Sequence, residues 1–233
     1  MRLLILLDFD GVLFNSAYEA YRVCEKAVAG KVAYRHGISF EEFMDFRHYL
    51  TDAWQFNRLY SKTLHLRDYP NLPEISPSEQ DWEFTKYFFE ARKELIADAE
   101  WPKLMSPYNF FFEIKHLLIK RPDYFKILST RNEESITKTL EFNSVHHIEV
   151  FGQEHLRKHG SKLDVAEAQG WIRDDFYTVY VDDMVSHLEP FEQQADLCFH
   201  AGWGYDTPHY ESLTEAQMYK VIKGLVSMAD QKK

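Results

Sequence analysis

Four short stretches of this 233-residue chain carry side chains that could act together on an anion and a cation. Asp8-Phe9-Asp10-Gly11-Val12 places two carboxyl groups two residues apart, beside a glycine that permits a sharp turn. Carboxyl groups this close share a divalent cation or leave one of the two protonated. The plainer reading is a surface loop with two solvated acids. Ser129-Thr130-Arg131 offers hydroxyls that could bond a phosphate oxygen or cap the helix that follows. Gly160-Ser161-Lys162 sets a lysine in the first turn of a helix, where the helix dipole disfavours a cation. That lysine has a task outside its own helix or is an ordinary solvated one. Asp182-Asp183 follows an apolar run, and acids buried there need a cation or donors nearby.

The elements around these stretches give them a common place. Five short apolar runs read as strands: Leu3–Leu7, Tyr124–Leu128, Ile148–Phe151, Tyr177–Val181 and Asp196–Phe199. The first and fourth are nearly continuous, as suits strands covered on both faces in a parallel sheet. Helices are predicted from Asn132 to about Phe142 and from Lys162 to Trp171. The alternation predicts an α/β fold, a Rossmann-like parallel sheet flanked by helices. Both acid pairs, the hydroxyls and the lysine then fall on the carboxyl-end rim, where such sheets bind ligands.

From residue 15 to 102 the alternation stops and only helix signals remain. Ser39 and Glu42 form a capping box, with Ile38 and Phe43 spaced as a hydrophobic staple. Ser76-Pro77-Ser78-Glu79 reads as a second box with proline at the first helical position. The Pro70–Pro77 stretch separates the two parts. The expectation is an all-helical insertion over 15–102, set into a core made of 1–14 and 103–233.

Composition narrows the function classes. Hydrophobic residues make up 45% of the chain, enough for a packed core. The net charge of −10 disfavours a large nucleic-acid interface. Two cysteines cannot staple a chain of this size. No run approaches the ~20 apolar residues of a membrane helix, and no secretory signal is visible, so a cytoplasmic location is expected. His155 and His159 have helical metal-ligand spacing, but the sequence shows no third ligand for zinc.

Taken in order, these motifs resemble those of the haloacid dehalogenase superfamily. Asp8-Phe9-Asp10-Gly11-Val12-Leu13-Phe14-Asn15-Ser16 is similar to its first motif, and Ser129, Lys162 and Asp182-Asp183 to the second, third and fourth. Ala201-Gly202-Trp203-Gly204-Tyr205 looks like a stretch of its phosphoglycolate-phosphatase-like members, which carry a helical cap directly after the first motif. The resemblance implies a phosphatase that uses Mg2+ to hydrolyse a small phosphorylated metabolite through an aspartyl-phosphate. Asp8 would be the nucleophile and Asp10 the general acid and base, with the metal bridging Asp8, the backbone of Asp10 and Asp183 or Asp182. Ser129 and Lys162 would hold phosphoryl oxygens, Lys158 competing for the lysine role, and Thr130 would join the substrate contacts. In the helical insertion Arg47, His48, Arg58 and Lys62 could read the leaving group or serve at the edge of the core. Asp10 argues against a dehalogenase. A phosphosugar mutase, a catalytically silent binder on the same fold, and a phosphatase for nucleic-acid ends or phosphoproteins are the alternatives. Oligomeric state is left open.

Overall fold

The computed structural model describes residues 1–47, 49–50, 52–62, 76–205 and 212–231. His48 and residues 70–75 of the proline-containing stretch lie outside them. The first strand, β1 (Arg2–Leu7), is buried at every residue after Arg2. A Leu/Ile run with no polar face has to be covered from both sides. The chain continues through β2 (Phe14–Asn15), α1 (Ala17–Val28), α2 (Phe40–Arg47), α3 (Phe56–Tyr60), α4 (Glu79–Ile96), β3 (Ser106–Pro107) and α5 (Asn109–Lys120). It then alternates: β4 (Phe125–Leu128), α6 (Glu133–Phe142), β5 (Glu149–Phe151), α7 (Gln153–His159), α8 (Lys162–Ala168), β6 (Phe176–Asp182), α9 (Val185–Leu188), β7 (Leu197–His200) and α10 (Glu215–Gln231).

Five strands form one parallel sheet in the order β5-β4-β1-β6-β7, so the expected α/β class is present. One face is packed by Leu4, Leu6, Leu128 and Tyr180 against Val165, Ala166, Leu188 and Phe191. On β1, Leu7 pairs with Ile127 of β4 and Val181 of β6, which sets Asp8 level with Asp182 at the rim.

The sequence reading misplaces several boundaries. Tyr124 belongs to a short 3-10 turn opened by Pro122, not to a strand. The helix from Lys162 ends at Ala168 rather than Trp171. Gly170 takes φ +71° and Trp171 N–H turns back to the Ala166 carbonyl, 2.9 Å, a glycine stop. The cap of α4 is Ser78 with Asp81, not Ser76 with Glu79: Asp81 N–H donates to Ser78 Oγ and Ser78 N–H to Asp81 Oδ2. The two-residue ribbon β2–β3 has too little pattern to be read from sequence.

The chain divides into two units, Met1–Asn15 with Ser106–Lys233, and Ser16–Met105. In the second, Phe43, Phe56 and Phe88 stack in series at centroid spacings of 5.5 and 5.4 Å. Among its described residues the fully buried acids are paired. Glu19 of α1, with no exposed surface, receives the Arg92 fork of α4 at 3.0 and 2.9 Å. Asp81 receives Asn57 Nδ2 at 2.7 Å and Arg58 at 2.6 Å. Among the described residues no helix is long and apolar enough to cross a membrane.

Candidate active site

The carboxyl ends of β1, β4 and β6 and the first turn of α8 bring Asp8, Asp10, Ser129, Arg131, Lys162, Asp182 and Asp183 to one rim. Asp8 follows the last residue of β1, and its N–H donates to the Val181 carbonyl at 2.9 Å. Lys162 is buried at the first position of α8. Its Nζ lies 2.9 Å from Asp8 Oδ1 and 2.7 Å from Asp182 Oδ2. Those two carboxyl groups answer why a lysine stands against the positive end of a helix. Burial works against the charged Lys162, but Asp182 and Asp8 more than offset it and raise its pKa. Lys158 is exposed on α7, so the structure separates the two candidate lysines.

Asp182 and Asp183 differ in their commitments. Asp182 Oδ2 accepts from Lys162 and from the Tyr180 hydroxyl, and Oδ1 from Met184 N–H at 2.9 Å, with His187 Nδ1 at 3.3 Å. Burial opposes its charge, but Lys162 and His187 hold its carboxyl well below the usual carboxylate range. Asp183 points into a cradle of backbone. Tyr205 N–H donates to its Oδ2 at 2.6 Å, and His200 Nε2 meets its own carbonyl at 2.9 Å. A Cβ on Gly11 would stand 2.0 Å from Asp183 Oδ2, and one on Gly204 2.2 Å from Asp183 Cβ. Only glycine allows either approach, and Gly11 also takes φ +83°.

Ser129 is fully buried, and its Oγ accepts from Arg131 N–H at 3.4 Å. It stands apart from the start of α6, where Asn132 is the flanking residue. Thr130 is exposed beside it. Arg131, which residue types alone did not single out, is buried, and its Nε lies 3.0 and 2.9 Å from the two oxygens of Asp10. Its place directly after Ser129-Thr130 was the available signal. Tyr180 was hidden inside an apolar run, two residues before Asp182 and so on the same face of β6. Burial pushes its phenol well above the ordinary value, so it remains a donor.

Arg47 and Arg58 are engaged within the helical unit. Arg58 pairs with buried Asp81, and Arg47 donates to the Leu50 carbonyl at 2.6 Å. Lys62 Nζ likewise donates to the Val32 carbonyl, 2.6 Å. His48 lies outside the described residues.

The residues present fit a hard divalent cation. Asp8, Asp182 and Asp183 each offer an oxygen within 4.8 Å of the others, and all three are buried. Lys162 faces two of the three, Asp8 and Asp182, so the carboxyl groups outnumber the ammonium among them. Burial pushes Asp8 up to about 6, with Lys162 opposing and Asp182 and Asp10 adding to it. Oxygen donors alone suit Mg2+ rather than a soft metal.

No protein-family model and no curated protein matches the chain in sequence. Solved structures do match. A protein described as a predicted phosphatase, from Clostridium acetobutylicum, aligns at 13% identity over 96% of this chain and 99% of its own, TM-score 0.64. A haloacid dehalogenase-like hydrolase from Streptococcus pneumoniae aligns at 11% identity over 95% of this chain and 98% of its own, TM-score 0.61. The chain has the haloacid dehalogenase fold. A protein described as a predicted phosphoglycolate phosphatase, from Haemophilus somnus, shares that fold at 14% identity, over 95% of this chain and 98% of its own, TM-score 0.65. On the haloacid dehalogenase fold the carboxyl-end rim of the sheet here carries the whole acid, hydroxyl and lysine set.

Proposed function

We propose that this chain is a Mg2+-dependent phosphatase that hydrolyses a small phosphomonoester through an aspartyl-phosphate on Asp8. The observation that supports it best is Lys162, buried and shared between Asp8 and Asp182 at 2.9 and 2.7 Å. A buried ammonium beside a carboxylate nucleophile provides a place for an anionic substrate where two like charges must meet. In the proposed reaction an Asp8 oxygen attacks phosphorus and the ester oxygen departs. Asp10 gives that oxygen its proton and then takes one from the water that releases phosphate. Arg131, bonded to both Asp10 oxygens, fixes the direction in which that carboxyl group points. Lys162 and the Ser129 hydroxyl hold phosphoryl oxygens, with Thr130 at the exposed edge. Asp8, the Asp10 backbone carbonyl and Asp183 would hold the Mg2+, which supplies positive charge against carboxylate–phosphate repulsion. Asp182 is assigned to Lys162 rather than to the metal, because both its oxygens already accept from protein donors.

The test is release of phosphate from a generic aryl phosphate with and without Mg2+. The reading expects metal-dependent turnover. A folded protein that binds Mg2+ yet releases no phosphate from this ester or from a panel of metabolite phosphates contradicts it and favours a silent binder.

A further inference from the structure

Lys162 is held between two carboxyl groups from different strands, so its position depends on how strongly each pulls. The pull from Asp182 is divided. Its Oδ2 accepts the Lys162 ammonium at 2.7 Å and the Tyr180 hydroxyl at the same oxygen. Its other oxygen is fixed by Met184 N–H at 2.9 Å, so the carboxyl plane has little freedom to turn. Tyr180 is itself closely packed. It has no exposed surface, its ring meets Phe191 at a centroid distance of 4.1 Å, and it stands beside Leu6 in the register of β1 and β6. The ring thus packs among apolar side chains while its buried hydroxyl has Asp182 as its partner. The cost of burying a hydroxyl is met by one hydrogen bond to an anion.

We propose that Tyr180 is a positioning residue of the phosphoryl site: its hydroxyl, donated to Asp182, sets where the Lys162 ammonium stands relative to Asp8. An oxygen shared by two donors gives less to each. Without the hydroxyl, Asp182 Oδ2 draws the ammonium toward β6 and away from Asp8, where phosphoryl oxygens have to be held. The activity half of this inference rests on the phosphatase reading; the geometric half does not.

The experiment is Tyr180→Phe in the full chain, which keeps the ring against Phe191 and removes only the hydroxyl. Two readouts are taken. The Lys162 ammonium resonance is followed in protein labelled with 15N-lysine and assigned by its loss in Lys162→Met. In parallel, kcat and KM are measured for an aryl phosphate. The expected result is a displaced or broadened Lys162 resonance, with kcat lower by about 10- to 100-fold and KM within about threefold, because a misplaced group acts mainly on the transition state. Phe191→Leu is the packing control: it loosens the ring and leaves the hydroxyl, and its kcat is expected to stay within about threefold once corrected for folded fraction. An unmoved Lys162 resonance overturns the proposal whatever happens to kcat. An equal kcat loss in Phe191→Leu also overturns it, by assigning the effect to packing. If the wild-type protein hydrolyses no ester, the phosphatase reading falls, and the resonance alone decides the role of Tyr180.

Discussion

Both units of the chain bury charge, and they do so in opposite ways. Among the described residues of the helical unit the fully buried acids are closed by their own donors: Glu19 by the Arg92 fork, Asp81 by Asn57, Arg58 and Ser78. On the rim of the α/β unit Asp8, Asp182 and Asp183 each bring an oxygen within 4.8 Å of the others, and the Lys162 ammonium is shared by Asp8 and Asp182. A closed pair stabilises a helix junction and has nothing to offer a ligand. A cluster with more carboxyl groups than cations has an unmet demand for positive charge, and metal and substrate chemistry can use it. Buried charge by itself therefore says little about function; the balance around it says more.

The largest effect is expected at Asp8. Asp8→Asn is expected to lower kcat by about 10⁴-fold or more while the unfolding midpoint stays or rises, since one buried like charge is removed. Turnover near the wild-type rate would end the nucleophile assignment. Next in size, Lys162→Ala should cost about 10²- to 10³-fold in kcat/KM, against a change within about twofold for exposed Lys158→Ala. The reverse ranking would move the site. Gly204→Ala brings a Cβ to 2.2 Å from Asp183 Cβ, and the concentration of Mg2+ at half-maximal activity should rise roughly tenfold. An unchanged Mg2+ requirement would argue against Asp183 as a ligand.

The smallest effect on activity belongs to the closed pair. Arg92→Ala leaves Glu19 buried and alone, which costs about 3–5 kcal/mol and should lower the melting midpoint by roughly 10 °C. Turnover per folded molecule should stay within about twofold. Circular dichroism melts beside activity at low temperature separate the two quantities, and a large loss of turnover in the folded protein would blur the distinction between the units.

Much of this was legible before the structure. The continuous apolar runs of β1 and β6 announce a parallel sheet, and the acids that end them announce its rim. What the sequence hides is which of two neighbours points where. Asp182 and Asp183 are indistinguishable as letters, yet Asp182, the last residue of β6, turns toward Lys162, and Asp183, just past the strand, stands between Gly11 and Gly204. Tyr180 reads as one more core aromatic because its hydroxyl partner is defined only by strand direction. In the helical unit Arg47 and Arg58 stand out by type, but their partners, the Leu50 carbonyl and Asp81, depend on local turns and on helix packing. The true cap of α4 was missed for a related reason: two Ser-x-x-acid patterns overlap there, and the one used is the one whose acid is buried.

The proposed reaction passes through a covalent bond between Asp8 and phosphorus, and that bond can be trapped. Enzyme, Mg2+ and an excess of aryl phosphate are mixed, quenched in acid within the first turnover, and analysed by intact-protein and peptide mass spectrometry. The expected result is one phosphoryl group per chain, on the peptide that contains Asp8, absent from Asp8→Asn and lost as phosphate is released. An adduct on another residue, or steady turnover in Asp8→Asn, would contradict it.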